Sequence, residues 1–288
     1  MEKITNSTIL KVVVYGGTTM AGHIIAEHLP NIGNYKIITI NESEIFNDNN
    51  SFNTGKYVIK ANVDVAINCI RCLVEECEQN ISKANLYNNH FPKYLEQYYN
   101  DKKTKVIHLS TDCVFSGTKG NYSEGQKPDG NSVYAKTKAL GEINNQKDVT
   151  IRTSYIGPNI GDSSEELFHW FIMQKNKSVS GYTKAFWNGL TTLELTKGID
   201  KIIKMNIGGI YHLAPTTNLS KYQLLKLIKT TWKKEDISLH KDSSVSYNRT
   251  LVDSRKLIEI NTYENMLIEL FNFMSSRKQI YKQYFQNN

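Results

Sequence analysis

Residues Ile9–Tyr15 read ILKVVVY, a nearly continuous apolar run. A run without polar alternation suits a parallel strand buried on both faces. Gly16-Gly17-Thr18-Thr19-Met20-Ala21-Gly22 follows at once, then a helical pattern through Ile24, Ile25, His28 and Leu29. Strand, glycine-rich turn and helix in that order open a dinucleotide-binding unit. Glycines let the backbone approach a pyrophosphate, and the helix N-terminus attracts its charge. Further strands are expected at Lys36–Ile40, Val63–Ile70, Lys105–Leu109 and Thr150–Arg152, separated by helix-like stretches such as Ile81–Tyr99 and Tyr134–Asn145. The alternation predicts an α/β fold, a Rossmann-type doubly wound parallel sheet. From Gly157 the pattern changes, and loops, aromatics and helices dominate. We expect a dinucleotide-binding domain over 1–156, with 189–204 returning to it. A smaller mixed α/β substrate-binding part is expected over 157–188 and 205–288.

Composition narrows the function. The 288 residues are 40% apolar, spread throughout, which fits a globular chain with a sizeable core. No apolar run reaches the length needed to span a bilayer, and the N-terminus lacks signal-peptide architecture. A soluble, cytoplasmic protein with no membrane partner is expected. The net charge is +7, but the lysines are dispersed and form no basic helix or aromatic-basic array. That excludes a nucleic-acid partner and suits a small anionic ligand. The four cysteines, Cys69, Cys72, Cys77 and Cys113, are too few and too unevenly placed for a disulfide framework. Cys69-x-x-Cys72 has no second pair and no clustered histidine, so no metal site is expected.

Chemistry concentrates between Ser110 and Glu142, STDCVFSGTKGNYSEGQKPDGNSVYAKTKALGE. Tyr134 and Lys138 are four residues apart and share a helix face. An ammonium beside a phenol lowers the phenol's pKa from its ordinary value of about 10. Such a tyrosine can exchange a proton with a carbonyl oxygen while a nicotinamide gives or takes hydride. The hydroxyl of Thr111 supplies a second hydrogen bond to that oxygen. An exposed Tyr-Lys pair would be commonplace. The upstream STD after a β-rich run and the closing Gly-Glu distinguish this one.

The chain resembles the extended short-chain dehydrogenase/reductases, in particular the dTDP-4-dehydrorhamnose reductase-like group. The matching pieces are VVVYGG (Val12–Gly17), VDVAINCI (Val63–Ile70), YNNHFP (Tyr87–Pro92), STDCVFSG (Ser110–Gly117), YAKTKALGE (Tyr134–Glu142), IRTSYIG (Ile151–Gly157), FWNGLTTLEL (Phe186–Leu195) and YHLAP (Tyr211–Pro215). The resemblance implies reduction of the keto group of a nucleotide-linked 4-keto-6-deoxyhexose for a surface glycan. Tyr134 would protonate the oxygen, Lys138 would tune Tyr134 and bind the nicotinamide ribose, and Thr111 would orient the carbonyl. Gly16, Gly17, Thr18, Thr19, Met20 and Gly22 would surround the pyrophosphate, with Asn41, Cys69, Ile70 and Arg71 completing the cofactor side. One departure is Thr19, where the family pattern has its middle glycine. A side chain there crowds the pyrophosphate, although its hydroxyl can donate to a phosphate. The resemblance implies NADP(H), with NAD(H) also accepted; Asn41 at the strand end is neutral and decides nothing.

Cys113 follows Thr111 by two residues, as in bifunctional epimerase/reductases such as GDP-fucose synthase. His169 is the candidate partner for inverting the carbon beside the ketone. The alternatives are a pure reductase and a histidine that packs its helix. On the substrate side the resemblance adds Asp112. Trp187 and Asn188 could stack on and hydrogen-bond a sugar or base, or pack in the core. Arg249 could grip a diphosphate or make a surface ion pair. The rival to an enzyme is a dinucleotide-binding regulatory subunit, which need not keep Thr111, Tyr134 and Lys138 together. Assembly as a homodimer is left open.

Overall fold

The computed structural model describes residues 8–47, 62–160 and 166–285. In chain order the strands are β1 (Leu10–Tyr15), β2 (Tyr35–Ile40), β3 (Val65–Asn68), β4 (Lys105–Thr111), β5 (Val149–Thr153), β6 (Tyr155–Ile156), β7 (Lys177–Trp187), β8 (Leu190–Thr191), β9 (Gly209–His212), β10 (Leu219–Ser220) and β11 (Ile237–Asn248). The α-helices are α1 (Met20–Ile32), α2 (Glu42–Ile45), α3 (Val74–Gln79), α4 (Ile81–Asn85), α5 (Phe91–Tyr98), α6 (Val133–Leu140), α7 (Leu167–Ile172), α8 (Thr192–Lys204), α9 (Lys221–Thr231) and α10 (Tyr263–Ser275). The chain divides into two units. One is Met1–Phe115, Lys127–Arg152 and Thr196–Tyr211; the other is Ser116–Gln126, Thr153–Leu195 and His212–Asn288.

The first unit holds a six-stranded sheet in the order β2-β1-β3-β4-β5-β9. β1 pairs parallel with both β2 and β3, and β3 pairs parallel with β4. β3, β4 and β5 are buried along their whole length, as sheets covered on both faces require. This is the expected Rossmann-type architecture. Strand order reverses at β1, so the crevice beyond the carboxyl ends of β1 and β3 is the position where such sheets bind ligands.

The turn after β1 is shaped for close approach. Gly16 has φ +82, and a methyl group on it would lie 3.0 Å from Ile70 Cγ1. A methyl group on Gly22 would lie 2.0 Å from the Gly16 carbonyl oxygen. Thr19 is the N-cap of α1. Its Oγ1 accepts from the Gly22 N–H at 3.1 Å and donates to the Gly16 oxygen at 2.7 Å. In this turn the hydroxyl is therefore directed at the backbone.

The long helix expected over Ile81–Tyr99 is interrupted. A π-helical turn at Leu86–His90 lies between α4 and α5. It carries Asn88, whose Oδ1 accepts from Cys72 N at 3.0 Å and whose Nδ2 donates to Thr137 Oγ1 at 3.2 Å. A buried amide thus ties the segment after β3 to α6. π-Helical turns of this kind are rare and occur frequently at functional sites.

A second tie fixes the end of β4. Arg152 Nε and Nη2 each donate to Glu142 at 2.7 Å, and Ser110 Oγ donates to the same carboxylate at 2.8 Å. Both charged side chains are buried, so the two-pronged geometry has to offset their desolvation.

The second unit has two small sheets, β10-β7-β11 and β6-β8. β11 runs parallel to β7, with an irregularity between Asp242 and Ser246. These long strands are not evident in the sequence. Along β7, Val179, Gly181, Ala185 and Trp187 are buried while Ser178, Ser180 and Lys184 are exposed. Gly181 and Ala185 interrupt the apolar alternation on the buried face, so the period of two is weak in hydrophobicity. In the same unit the Asn188 amide donates to Pro215 O and Leu251 O and accepts from Leu251 N.

Two stability measurements check this framework. Glu142→Ala leaves Arg152 buried without its partner, and urea unfolding should show a loss of about 3–5 kcal/mol. A loss below about 1 kcal/mol would mean the pair does not organise the end of β4. Thr19→Ala removes the α1 cap and should cost about 1 kcal/mol by the same assay.

Candidate active site

Ser132 starts α6 as its N-cap, Oγ accepting from Ala135 N at 3.1 Å. The helix then presents Tyr134 and Lys138 one turn apart, with exposures of 8% and 2%. Tyr134 belongs to the core cluster that contains Val13, Ala66 and Val106 of the sheet and Phe91 of α5. Lys138 Nζ donates to the Leu109 carbonyl oxygen at 2.6 Å and lies 3.4 Å from His108 Nε2. Burial pushes the Lys138 ammonium down to about 7, helped by Arg71 and opposed by Glu142. Burial, Lys138 and Lys93 together hold the His108 imidazole well below its usual range. His108 Nδ1 lies 3.1 Å from Asn68 Nδ2, and Asn68 Oδ1 accepts from Ile70 N at 3.0 Å.

A buried polar chain therefore runs from the end of β3 through β4 to α6. Sequence reasoning missed His108 and Asn68. The available signal was one polar residue inside each of two apolar runs, VAIN and VIHL.

Thr111 closes β4 and caps the short 3-10 turn Asp112–Val114. Its Oγ1 accepts from Cys113 N at 3.1 Å and donates to Asp112 Oδ1 at 3.1 Å. Asp112 is buried. Cys113 is half-buried, whereas the other three cysteines are buried. Cys69 sits at the end of β3, where burial pushes its thiol up to about 12. Cys72 Sγ donates to Glu76 Oε2 at 3.4 Å.

The cofactor candidates gather at the sheet's switch point. Gly16, Gly17, exposed Thr18, Thr19, Met20 and Gly22 form the turn and the first turn of α1. Cys69, Ile70 and Arg71 follow β3, and a methyl group on Gly16 would come 3.2 Å from the Cys69 carbonyl carbon. Asn41 follows β2, and its Oδ1 would be 3.4 Å from a methyl group on Gly17. Its N–H is held by Glu44 Oε2 at 2.7 Å. Burial pushes the Glu42 carboxyl up, with Lys83 opposing the shift. A glycine cradle that any Cβ would fill, at a helix N-terminus, fits a dinucleotide pyrophosphate.

The remaining candidates lie in the second unit. Trp187 is buried, donates Nε1–H to Ser154 Oγ at 2.8 Å and has Lys221 Nζ 5.2 Å from its ring centroid. Asn188 makes the three backbone contacts described above. The Arg249 guanidinium lies 4.9 Å from the Tyr247 ring centroid. His169 Nδ1 is 2.6 Å from Tyr284 Oη, and the two rings meet edge to face. A cavity of about 460 Å³ opens between α7, β7 and α9, lined by Trp170, Tyr182, Tyr247 and Lys221 among others.

Known proteins are similar to this chain in sequence and fold. The profile of a family described as RmlD substrate binding domain matches residues 10–255. A relative from Haloferax volcanii, named probable low-salt glycan biosynthesis reductase Agl14, is 35% identical over 109 residues, 36% of this chain and 36% of its own. The chain thus matches little more than a third of that relative's length. The dTDP-4-dehydrorhamnose reductase of Salmonella typhimurium is 23% identical over 244 residues, covering 80% of this chain and 81% of its own. The dTDP-4-dehydrorhamnose reductase of Bacillus anthracis, solved in complex with NADP, has a TM-score of 0.75 at 18% identity, covering 92% of this chain and 100% of its own. At that identity the likeness concerns the fold. The family match spans the strand–turn–helix opening and the STD…YxxxK block alike, and the chain belongs to the RmlD substrate binding domain family.

Proposed function

We propose that this protein reduces the 4-keto group of a nucleotide-linked 4-keto-6-deoxyhexose with NADPH, making an activated deoxysugar for a surface glycan. One observation carries the reading. A single unit holds Thr111 at the end of β4, buried Tyr134 and Lys138 one turn apart on α6, and a glycine cradle at the sheet's switch point. The curated name of the Salmonella relative and the NADP complex of the Bacillus relative support the substrate class and the cofactor.

When bound, the nicotinamide supplies hydride to the keto carbon. Tyr134 gives its phenolic proton to the oxygen that forms. Thr111 turns its hydroxyl from Asp112 Oδ1 to the same oxygen and orients it. Lys138 supports the phenolate left behind and restores its proton. Gly17, Thr18 and Met20 would offer backbone N–H groups to the pyrophosphate, Gly16 and Gly22 would let the backbone come close although their own N–H groups are bonded to Ile40 O and Thr19 Oγ1, and Arg71 would add positive charge. Asn41, following β2, would face the adenosine ribose. Thr19 acts through the shape of the turn, because its hydroxyl caps α1. In the second unit, the cavity rimmed by Trp170, Tyr182, Tyr247 and Lys221 has aromatic faces for a base and a cation for a phosphate. Arg249, whose guanidinium lies 4.9 Å from the Tyr247 ring centroid, is a further candidate cation for the diphosphate.

A second reading adds inversion of the carbon beside the ketone. It is favoured by Cys113, the half-buried thiol two residues past Thr111. His169 would be the other acid–base group, and it would have to act despite its short contact with Tyr284.

The test is incubation with NADPH and a panel of dTDP- and UDP-linked 4-keto-6-deoxy sugars, N-acetylated ones included, in deuterated water. Loss of NADPH absorbance with at least one sugar is expected. Tyr134→Phe should lower turnover by about 10²–10⁴, and full turnover in that variant would overturn the mechanism. Deuterium beside the former ketone, lost in both Cys113→Ala and His169→Ala, supports inversion. Incorporation unchanged in these variants removes it.

A further inference from the structure

The chain Ile70–Asn68–His108–Lys138 fixes hydrogen positions by elimination. The Ile70 N–H points at the Asn68 side chain from 3.0 Å, so the amide must turn its oxygen there. The amide nitrogen then faces His108 Nδ1 at 3.1 Å and donates to it. A neutral imidazole carries one N–H, and burial keeps this one neutral. With Nδ1 accepting, the proton sits on Nε2 and is directed at Lys138 Nζ, 3.4 Å away. An ammonium has only hydrogens to offer at that position. A neutral amine has a lone pair there, and it can still donate to Leu109 O.

We propose that His108 is a positioning residue: held in its Nε2–H tautomer by Asn68, it turns a donor toward Lys138 Nζ and weights that lysine toward its neutral amine. For catalysis this rests on the reading of Tyr134 and Lys138 given above. The other charged or titratable groups that act on this pair are Arg71, Glu142, Cys69, Cys77 and Lys93. None of them is placed by the amide of Asn68, so the tautomer is a separate lever. A lysine balanced near neutrality gives and takes a proton with little bias, which suits the group that restores Tyr134 after each turnover. Above its pKa the amine no longer supports a phenolate, so reduction should fall on the alkaline side.

NMR tests this directly in the whole 288-residue chain with NADP⁺ added. Two-bond ¹H–¹⁵N spectra of labelled histidine should show His108 protonated at Nε2 across neutral pH. Protonation at Nδ1 would overturn the proposal, and this readout needs no variant and no activity. Lysine ¹³Cε labelling then gives the Lys138 titration midpoint, assigned by its loss in Lys138→Met. In His108→Gln the amide can turn its oxygen to Nζ, and the midpoint should rise by about one pH unit or more. The alkaline limb of kcat/KM should move with it. An unmoved midpoint, with or without a fall in thermal stability, reduces His108 to a packing residue and sinks the proposal. If the wild type oxidises no NADPH with any sugar, the reductase reading fails on its own, while both NMR readouts still decide the tautomer and its effect on Lys138.

Discussion

A lysine amine fully enclosed by protein must find partners there, and Lys138 has a carbonyl and an imidazole to satisfy it. That constraint organises the first unit. The Leu109 carbonyl is offered because β4 ends beside α6, and β4 ends there because Glu142 and Arg152 clamp Ser110. α6 is in turn held by Asn88, which reaches Thr137 from a widened helical turn. Each contact is modest in free energy. Together they leave Lys138 one position, which is what a group that handles protons requires.

The sheet supplies the other half of the chemistry. Reversal of strand order at β1 opens a crevice, and the turn from Gly16 to Thr19 lines it with backbone in place of side chains. Thr19 in the glycine pattern looks like an obstacle in the sequence. In the fold its hydroxyl closes the turn on itself, accepting from Gly22 and donating to Gly16. The middle glycine's permissiveness is exchanged for a helix cap, and the close approach of Gly22 to Gly16 is kept.

Much of this was legible in the sequence because it rests on local pattern. ILKVVVY followed by glycines announced the strand and turn, and the i, i+4 spacing of Tyr134 and Lys138 announced the helix face. The pairing of Arg152 with Glu142 was not legible, since the two lie ten positions apart with a loop between them. The tautomer-setting pair Asn68 and His108 was not legible, because their meaning depends on adjacent parallel strands placing residue 68 beside 108. β7 and β11 escaped notice for a different reason. The buried face of β7 is broken by Gly181 and Ala185, and along β11 the positions after Ile237 are only half-buried or exposed, so neither strand carries a strong hydrophobic alternation. The clamp made by Asn188 was likewise hidden, since an asparagine beside an aromatic reads as readily as a ligand contact as a backbone staple.

The most direct test of the central claim follows the hydride itself. The protein is given NADPH carrying deuterium at nicotinamide carbon 4, with a dTDP-linked 4-keto-6-deoxy sugar, and the product is read by mass spectrometry and NMR. The account predicts one deuterium on the sugar, at the carbon that bore the ketone, from one face of the nicotinamide. NADPH that binds while its label stays in place, across the whole sugar panel, would contradict it.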